Sequence, residues 1–527
     1  MKRCFLAMGL GLASLIYITS CKKSSFDEVY RDPSEVTEVT VERQFTGMIY
    51  SYRQLIVPEY RNLFVTLRPT IFRYLHISGW FNEPNHLVPG GAAIEDRWSR
   101  YYEGLAQYRE LETVYNKSVE AEKSEKRIFF LAAKVIFYDQ TQQTVDLHGD
   151  IPWSKAGMLS TNQSDYQSSY PAYDKAEDIY TVMLDELKAI SDELNTITLS
   201  EAIQARFKTQ DIINNGDIDL WKRYCNSLRL RMLMRVSESS TFSSRAAQEL
   251  AEIVNNEAAY PLISMNEQNA EIDIYSLDDN SIHTRGIRDA FEADGWYANL
   301  ASKVMVDHMV GNSDPRLPFI FEPGAAANGQ FKGLDQSLAS ATQSDLARGG
   351  TISIFNRSTI SRNPYFPGIL FSATETNLLL AEYYQKNGNS GLAKTSFENS
   401  IRESVDLYRD IRSRSNDNTV PAAVTPTEAQ INTYISNLNW DAASNKIQLI
   451  ATQKWIHFGV IQTVQAWSEI RRFDYPQFSF VIQSSDMQKT VPVKFNLPPS
   501  EPVYNAANYE AVKAQDNVDT KLFWDVQ

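Results

Sequence analysis

Between residues 381 and 401 the spacing of small and large apolar residues commits the chain to two antiparallel helices in contact. Ala381 is followed by Tyr384, Gly388, Ala393, Phe397 and Ile401. The small residues let two helix backbones approach, and Tyr384 and Phe397 fill the space left between them. One such pair cannot bury its own apolar face. At least about three are needed for a stable stack, so degenerate copies are expected elsewhere in the chain.

The spacing is that of a tetratricopeptide repeat, and helical periodicity elsewhere is frequent. It runs over about 36–63, 94–116, 124–145, 244–256 and 444–461. Asp174 followed by Glu177 predicts a capping box at the start of another helix. Asp217 is a cap candidate for a helix carrying Trp221, Tyr224, Cys225, Leu228 and Met232. Arg223, Arg229, Arg231 and Arg235 decorate that helix and are expected to pair with carboxylates of neighbouring helices. Residues 257–370 lose this regularity and read as a loop-rich lobe, with short strands near residues 318–321 and 351–355. The predicted fold is mainly α: tetratricopeptide-like helix pairs over 35–256 and 371–480, the irregular lobe 257–370, and a tail 481–527, the part from 490 draping over the surface.

The first twenty residues read as an export signal. Lys2 and Arg3 precede an apolar run from Phe5 to Ile18, too short to span a bilayer. Ile18-Thr19-Ser20-Cys21 matches a bacterial lipobox, so Cys21 is the expected lipidation site and residues 21–34 a tether. Removing the signal removes Cys4, and lipidation uses Cys21. Cys225 then stands alone, no intramolecular disulfide is possible, and stability must come from the core. Cys225 lies within a helical pattern and reads as buried and inert. The net charge of −14 argues against a nucleic-acid partner, which requires clustered Lys and Arg.

No His-Glu-x-x-His pair, Gly-x-Ser-x-Gly elbow, Walker loop or Gly-x-Gly-x-x-Gly occurs. The histidines lack metal-ligand spacing, and His148 reads as structural. Glu271, Asp273, Asp278, Asp279 and Asp294 supply oxygens in one stretch, but their spacing fits no calcium loop, and a solvated acidic face is expected. No catalytic residue, metal or cofactor is assigned. Aromatics make up 12% of the chain. Two loops combine them with amides and carboxylates: Trp80, Phe81 and Asn82 in one, Asp294, Trp296 and Tyr297 in the other. Sugar rings stack their C–H faces on such side chains, and these six are the candidate ligand contacts. The alternative is that each tryptophan anchors its loop to the core. Trp98, Trp221, Trp455 and Trp467 sit in helical patterns and are expected in the core.

Several motifs in order resemble the SusD/RagB-like family of nutrient-binding outer-membrane lipoproteins, especially its second SusD-like branch. They are the lipobox; Asp146-Leu147-His148-Gly149-Asp150-Ile151-Pro152, with His148 where the family usually has Tyr; and Gly216-Asp217 with Trp221 and Asn226–Arg231. Asp314-Pro315-Arg316-Leu317-Pro318, the repeat-like pair beginning at Ala381-Glu382, and Gln453-Lys454-Trp455 with Ala466–Arg472 and Tyr475-Pro476 complete the set. The resemblance implies a non-enzymatic surface lipoprotein, held to the outer membrane by its lipid. It implies capture of a glycan or peptide for a SusC-like TonB-dependent transporter. A glycan hydrolase with an unrecognised carboxylate pair and a protein-binding scaffold are the alternatives.

Overall fold

The computed structural model describes residues 39–277, 282, 284–292, 295 and 297–527. Helix α1 (Val41–Ile56) buries Val41, Phe45, Met48, Ile49 and Tyr52, one face at helical spacing. It packs on α2 (Gly91–Lys117) and α3 (Arg127–His148). The approach to α2 requires glycine at 104, because a Cβ there would lie 2.2 Å from the Tyr52 ring. Almost every residue of α3 is buried, which makes it the axis of the first core. Around it stand α4 (Ala176–Leu194), α5 (Glu201–Gln210), α6 (Ile218–Val236) and α7 (Ser243–Val254). Trp98, Trp221, Trp455 and Trp467 are all core residues, as expected.

Asp217 caps α6 by accepting from the Asp219 and Leu220 amides at 2.8 and 3.2 Å. The expected capping box on α4 is absent. Asp174 instead accepts from the Trp153 and Ser154 amides, and Asp150 accepts from the Ala176 amide at 2.9 Å. The cap therefore comes from the far side of a loop. The same loop ends pair as β1 (Ile151–Pro152) and β2 (Tyr173–Asp174).

The irregular region holds β3 (Ala270–Ile272), α8 (Lys303–Asn312), β4 (Phe321–Glu322), α9 (Ser340–Arg348), β5 (Ile354–Phe355) and β6 (Gly368–Phe371). Strand β4 pairs antiparallel with β5, and β3 with β6. The two strands anticipated there thus find each other. Residues Leu317–Ile320 form a helical turn with Pro318 near its start, so the first strand begins only at Phe321. Helices α8 and α9 were not anticipated.

The repeat-like pair is α10 (Ala373–Lys386) and α11 (Ser390–Arg414). Ala381, Ala393, Phe397 and Ile401 are fully buried between them, with Tyr434 of α12 (Glu428–Asn437) in the same cluster. Helices α13 (Lys446–Ile461) and α14 (Thr463–Phe473) follow. Residues Val41–Gln527 form one unit. Among the described residues no helix is long and apolar enough to cross a membrane. The tail departs from expectation. Phe495 and Trp524 are fully buried, Phe495 against Trp467 at 5.0 Å, with the Trp524 indole donating to Asp146 at 2.9 Å.

Each arginine of α6 pairs with a carboxylate. Arg229 reaches Glu249 at 3.1 Å; Arg231 reaches Glu375 at 2.8 Å and Asp139 at 3.1 Å; Arg235 bonds Asp146 and Glu469. Arg223 pairs within its own helix, with Asp219. Glu469 also meets Lys454 and Arg472, and both of these hold Glu382. Burial pushes the Glu382 carboxyl up, but Arg472, Lys454 and Lys386 outweigh it and hold it well below the carboxylate range. Such a cluster is tolerable in a core only because nearly every charge has a partner.

Candidate functional site

Residues 78 and 79 pair with 300–301. Ser78 bridges Ala301, and the Gly79 amide donates to the Leu300 carbonyl at 2.7 Å. A Cβ at residue 79 would lie 2.9 Å from Leu334 and 3.0 Å from the Ala301 carbonyl, so only glycine permits this approach. Trp80 and Asn82 take the inner side, at 5% and 4% exposure, while Phe81 is half-buried on the other.

The inner pair fastens the loop. The Trp80 ring stacks on Phe480 at 6.0 Å and meets His76 edge-on at 4.8 Å. Gln336 donates to the Trp80 carbonyl at 2.6 Å. The Asn82 amide donates to the Gln343 side chain at 2.7 Å, and its carboxamide to the Gln336 and Leu338 carbonyls at 2.7 and 2.9 Å. Trp80 therefore matches the anchoring alternative.

The outer side chain meets the second loop. Phe81 lies 5.7 Å from Tyr297, ring planes inclined at 51°. Tyr297 is held at φ 46°, in the left-handed region. Both rings rest on a small core of Leu300, Leu334, Ala347 and Ile352 and remain half-buried. Two loops more than two hundred residues apart thus build one aromatic face on an apolar base. Asp294 and Trp296, and Cys21, the expected lipidation site, lie outside the described residues.

A strap from residues 478 to 487, which carried no signal in the sequence, supports the same loop. Phe478 stacks on His76 at 4.9 Å, and burial pulls the His76 imidazole down to about 4. Asp486 accepts from the Asn85 amide at 2.8 Å, and Asn85 accepts from the Met487 amide at 2.7 Å.

Elsewhere the polar groups are structural. His148 bonds the Asn496 carbonyl at 2.9 Å; burial, aided by Lys494, pulls it down to about 3. His457 contacts Ser372 and Ser404 at 3.0 and 2.9 Å, which resembles a base beside a hydroxyl nucleophile. All three are sealed in the core, where no substrate reaches them. Glu271 and Asp273 grip Arg414 at 2.9 and 3.1 Å. Among the described residues no group of three or more His, Cys, Asp or Glu could hold a metal ion.

A family model described as SusD-like, starch-binding and associating with the outer membrane matches residues 86–498. The chain belongs to this SusD-like family. Solved structures agree in fold. A chitin-binding protein superposes with a TM-score of 0.73 at 21% identity, over 93% of this chain and 100% of its own. A SusD homologue of Bacteroides fragilis gives 0.72 at 19%, over 92% and 100%. A chitin-binding SusD homologue from Flavobacterium johnsoniae gives 0.68 at 23%, over 92% and 99%. No curated protein matches. In this SusD-like chain the family-type motifs turn out to be architectural: Asp146, Arg231, Arg235, Glu382, Lys454 and Arg472 are the buried charges that join its helices.

Proposed function

We propose that the chain captures a neutral oligosaccharide on the Phe81–Tyr297 face and releases it unchanged to a SusC-like TonB-dependent barrel, tethered beside it by lipid on Cys21. The carrying observation is the half-buried aromatic pair at 5.7 Å, seated on an apolar base and braced from behind. Inclined rings offer two faces to a pyranose, whose C–H side packs on them. Gln336 and Asn82 fix the loop in advance, so little ordering remains to be done on binding. The chitin-binding relatives support the sugar class, and the sealed Ser–His contacts support binding over hydrolysis.

The test is a calorimetric titration of the soluble form, residues 22–527, with maltohexaose and N-acetylchitohexaose, followed by chromatography of the sugar. Saturable binding with intact sugar is expected. Tyr297→Ala or Phe81→Ala should weaken it about tenfold, the scale of one lost stacking contact. Unchanged binding in both variants, or shortened sugar, refutes the proposal.

A further inference from the structure

A second cleft, of about 570 Å3, lies between α8, α13 and the turn after α14, and shares no residue with the Phe81–Tyr297 face. Its volume falls within the range of about 300–1,000 Å3 usual for small-ligand sites. Trp455 forms part of its wall, 1% exposed and fixed by its indole N–H to the Leu75 carbonyl at 2.7 Å. Tyr475 is half-buried at the cleft and has no ring partner among the described residues. Four carboxamides, Asn445, Gln448, Gln477 and Gln527, join them.

The polar atoms here are incompletely used. Asn445 commits its carboxamide oxygen to capping α13, through the Ile447 and Gln448 amides at 3.1 and 3.4 Å, and its Nδ2 makes no hydrogen bond among the described residues. The Gln448 side chain is exposed and makes none either. The Nε2 of His308 is buried without a partner. Burial pulls the His308 pKa down, so the ring stays uncharged at neutral pH.

The chemistry selects the class of ligand. Carboxamides both donate and accept, which suits neighbouring hydroxyls on one molecule. A half-buried aromatic ring without an aromatic partner suits the apolar side of a sugar. Asp474 is the one charged side chain among the described lining residues, and Gln477 already donates to it at 3.3 Å. Nothing here balances an anion, and one engaged carboxylate does not make a cation site. We propose that this cleft is a carbohydrate site in its own right, taking a neutral mono- or disaccharide unit. It goes beyond the aromatic face and does not depend on it.

Hydrogen–deuterium exchange of the full soluble chain with maltose or N,N′-diacetylchitobiose tests this, in the wild type and in the Phe81→Ala/Tyr297→Ala variant. The expected result is slowed exchange over 445–455 and 473–477 in both proteins. Gln448→Trp, at an exposed helix position, should fill the cleft and weaken binding there about tenfold while leaving the Phe81–Tyr297 face intact. Protection confined to 78–82 and 297–301 overturns the second site but not the first. Cleft protection lost in the Phe81→Ala/Tyr297→Ala variant, or untouched by Gln448→Trp, overturns it as well. No protection anywhere overturns both.

Discussion

Glu382→Gln keeps the shape of a fully buried side chain and removes its charge. The carboxylate is held by Arg472 at 2.6 and 2.7 Å, Lys454 at 2.8 Å and Lys386 at 2.9 Å. A carboxamide satisfies one of its two positions and turns an N–H toward cationic donors at the other. Lys454 and Arg472 then depend on Glu469 alone, which already serves Arg235. Removing one partner of a buried pair costs about 3–5 kcal/mol. An exposed pair is worth at most about 1 kcal/mol. The expected loss is therefore about 4 kcal/mol, read as a lowered midpoint of urea unfolding at neutral pH, followed by tryptophan fluorescence. Lys386→Met is the control, since Lys386 is 31% exposed, and it should cost no more than about 1 kcal/mol. A loss below about 1 kcal/mol in Glu382→Gln would show that the cluster is not what joins these helices.

Glu382 and Glu469 both have folded-state pKa values below the usual 4.5, so their contribution is present above pH 4.5 and is lost as pH falls below it. Acid unfolding should steepen there, and Glu382→Gln should flatten that limb; equal slopes would refute the assignment. Gly104→Ala places a methyl group 2.2 Å from the fully buried Tyr52 ring and should cost about 1–3 kcal/mol, recovered in part by Tyr52→Leu in the same chain, as judged by thermal midpoints. Cys225 is fully buried and its thiol is pushed up to about 12, so the native protein should resist iodoacetamide and react only once unfolded. Stoichiometric labelling of the native form would contradict that burial.

Local pattern carried much of the fold. Periodicity found α2, α3, α10 and α11 because each buries a broad stripe, and the pairing of α6 arginines followed from charge in an apolar helix. What failed was set by distance along the chain. The α4 cap comes from Asp150 rather than the adjacent Asp174, across a loop whose closure no local spacing reveals. Helix α5 buries only Ile203 and Phe207, too thin a stripe to detect. At the candidate face, composition singled out two loops that meet through Phe81 and Tyr297, but not the side each residue takes. The bridge of Ser78 to Ala301 holds the loop in which Trp80 is buried and Phe81 is not, and its partner lies more than two hundred residues away.

The burial of Trp524 has a consequence for the order in which this protein can mature. Its indole donates to Asp146, and its ring lies beneath Arg235 and Arg471, at 5.2 and 4.9 Å. A chain growing from its N-terminus therefore displays these charges, still hydrated, until position 524 has been made. Position 524 is therefore the latch on a core whose other members lie at 146, 235 and 471, and those three cannot reach their native surroundings before it arrives.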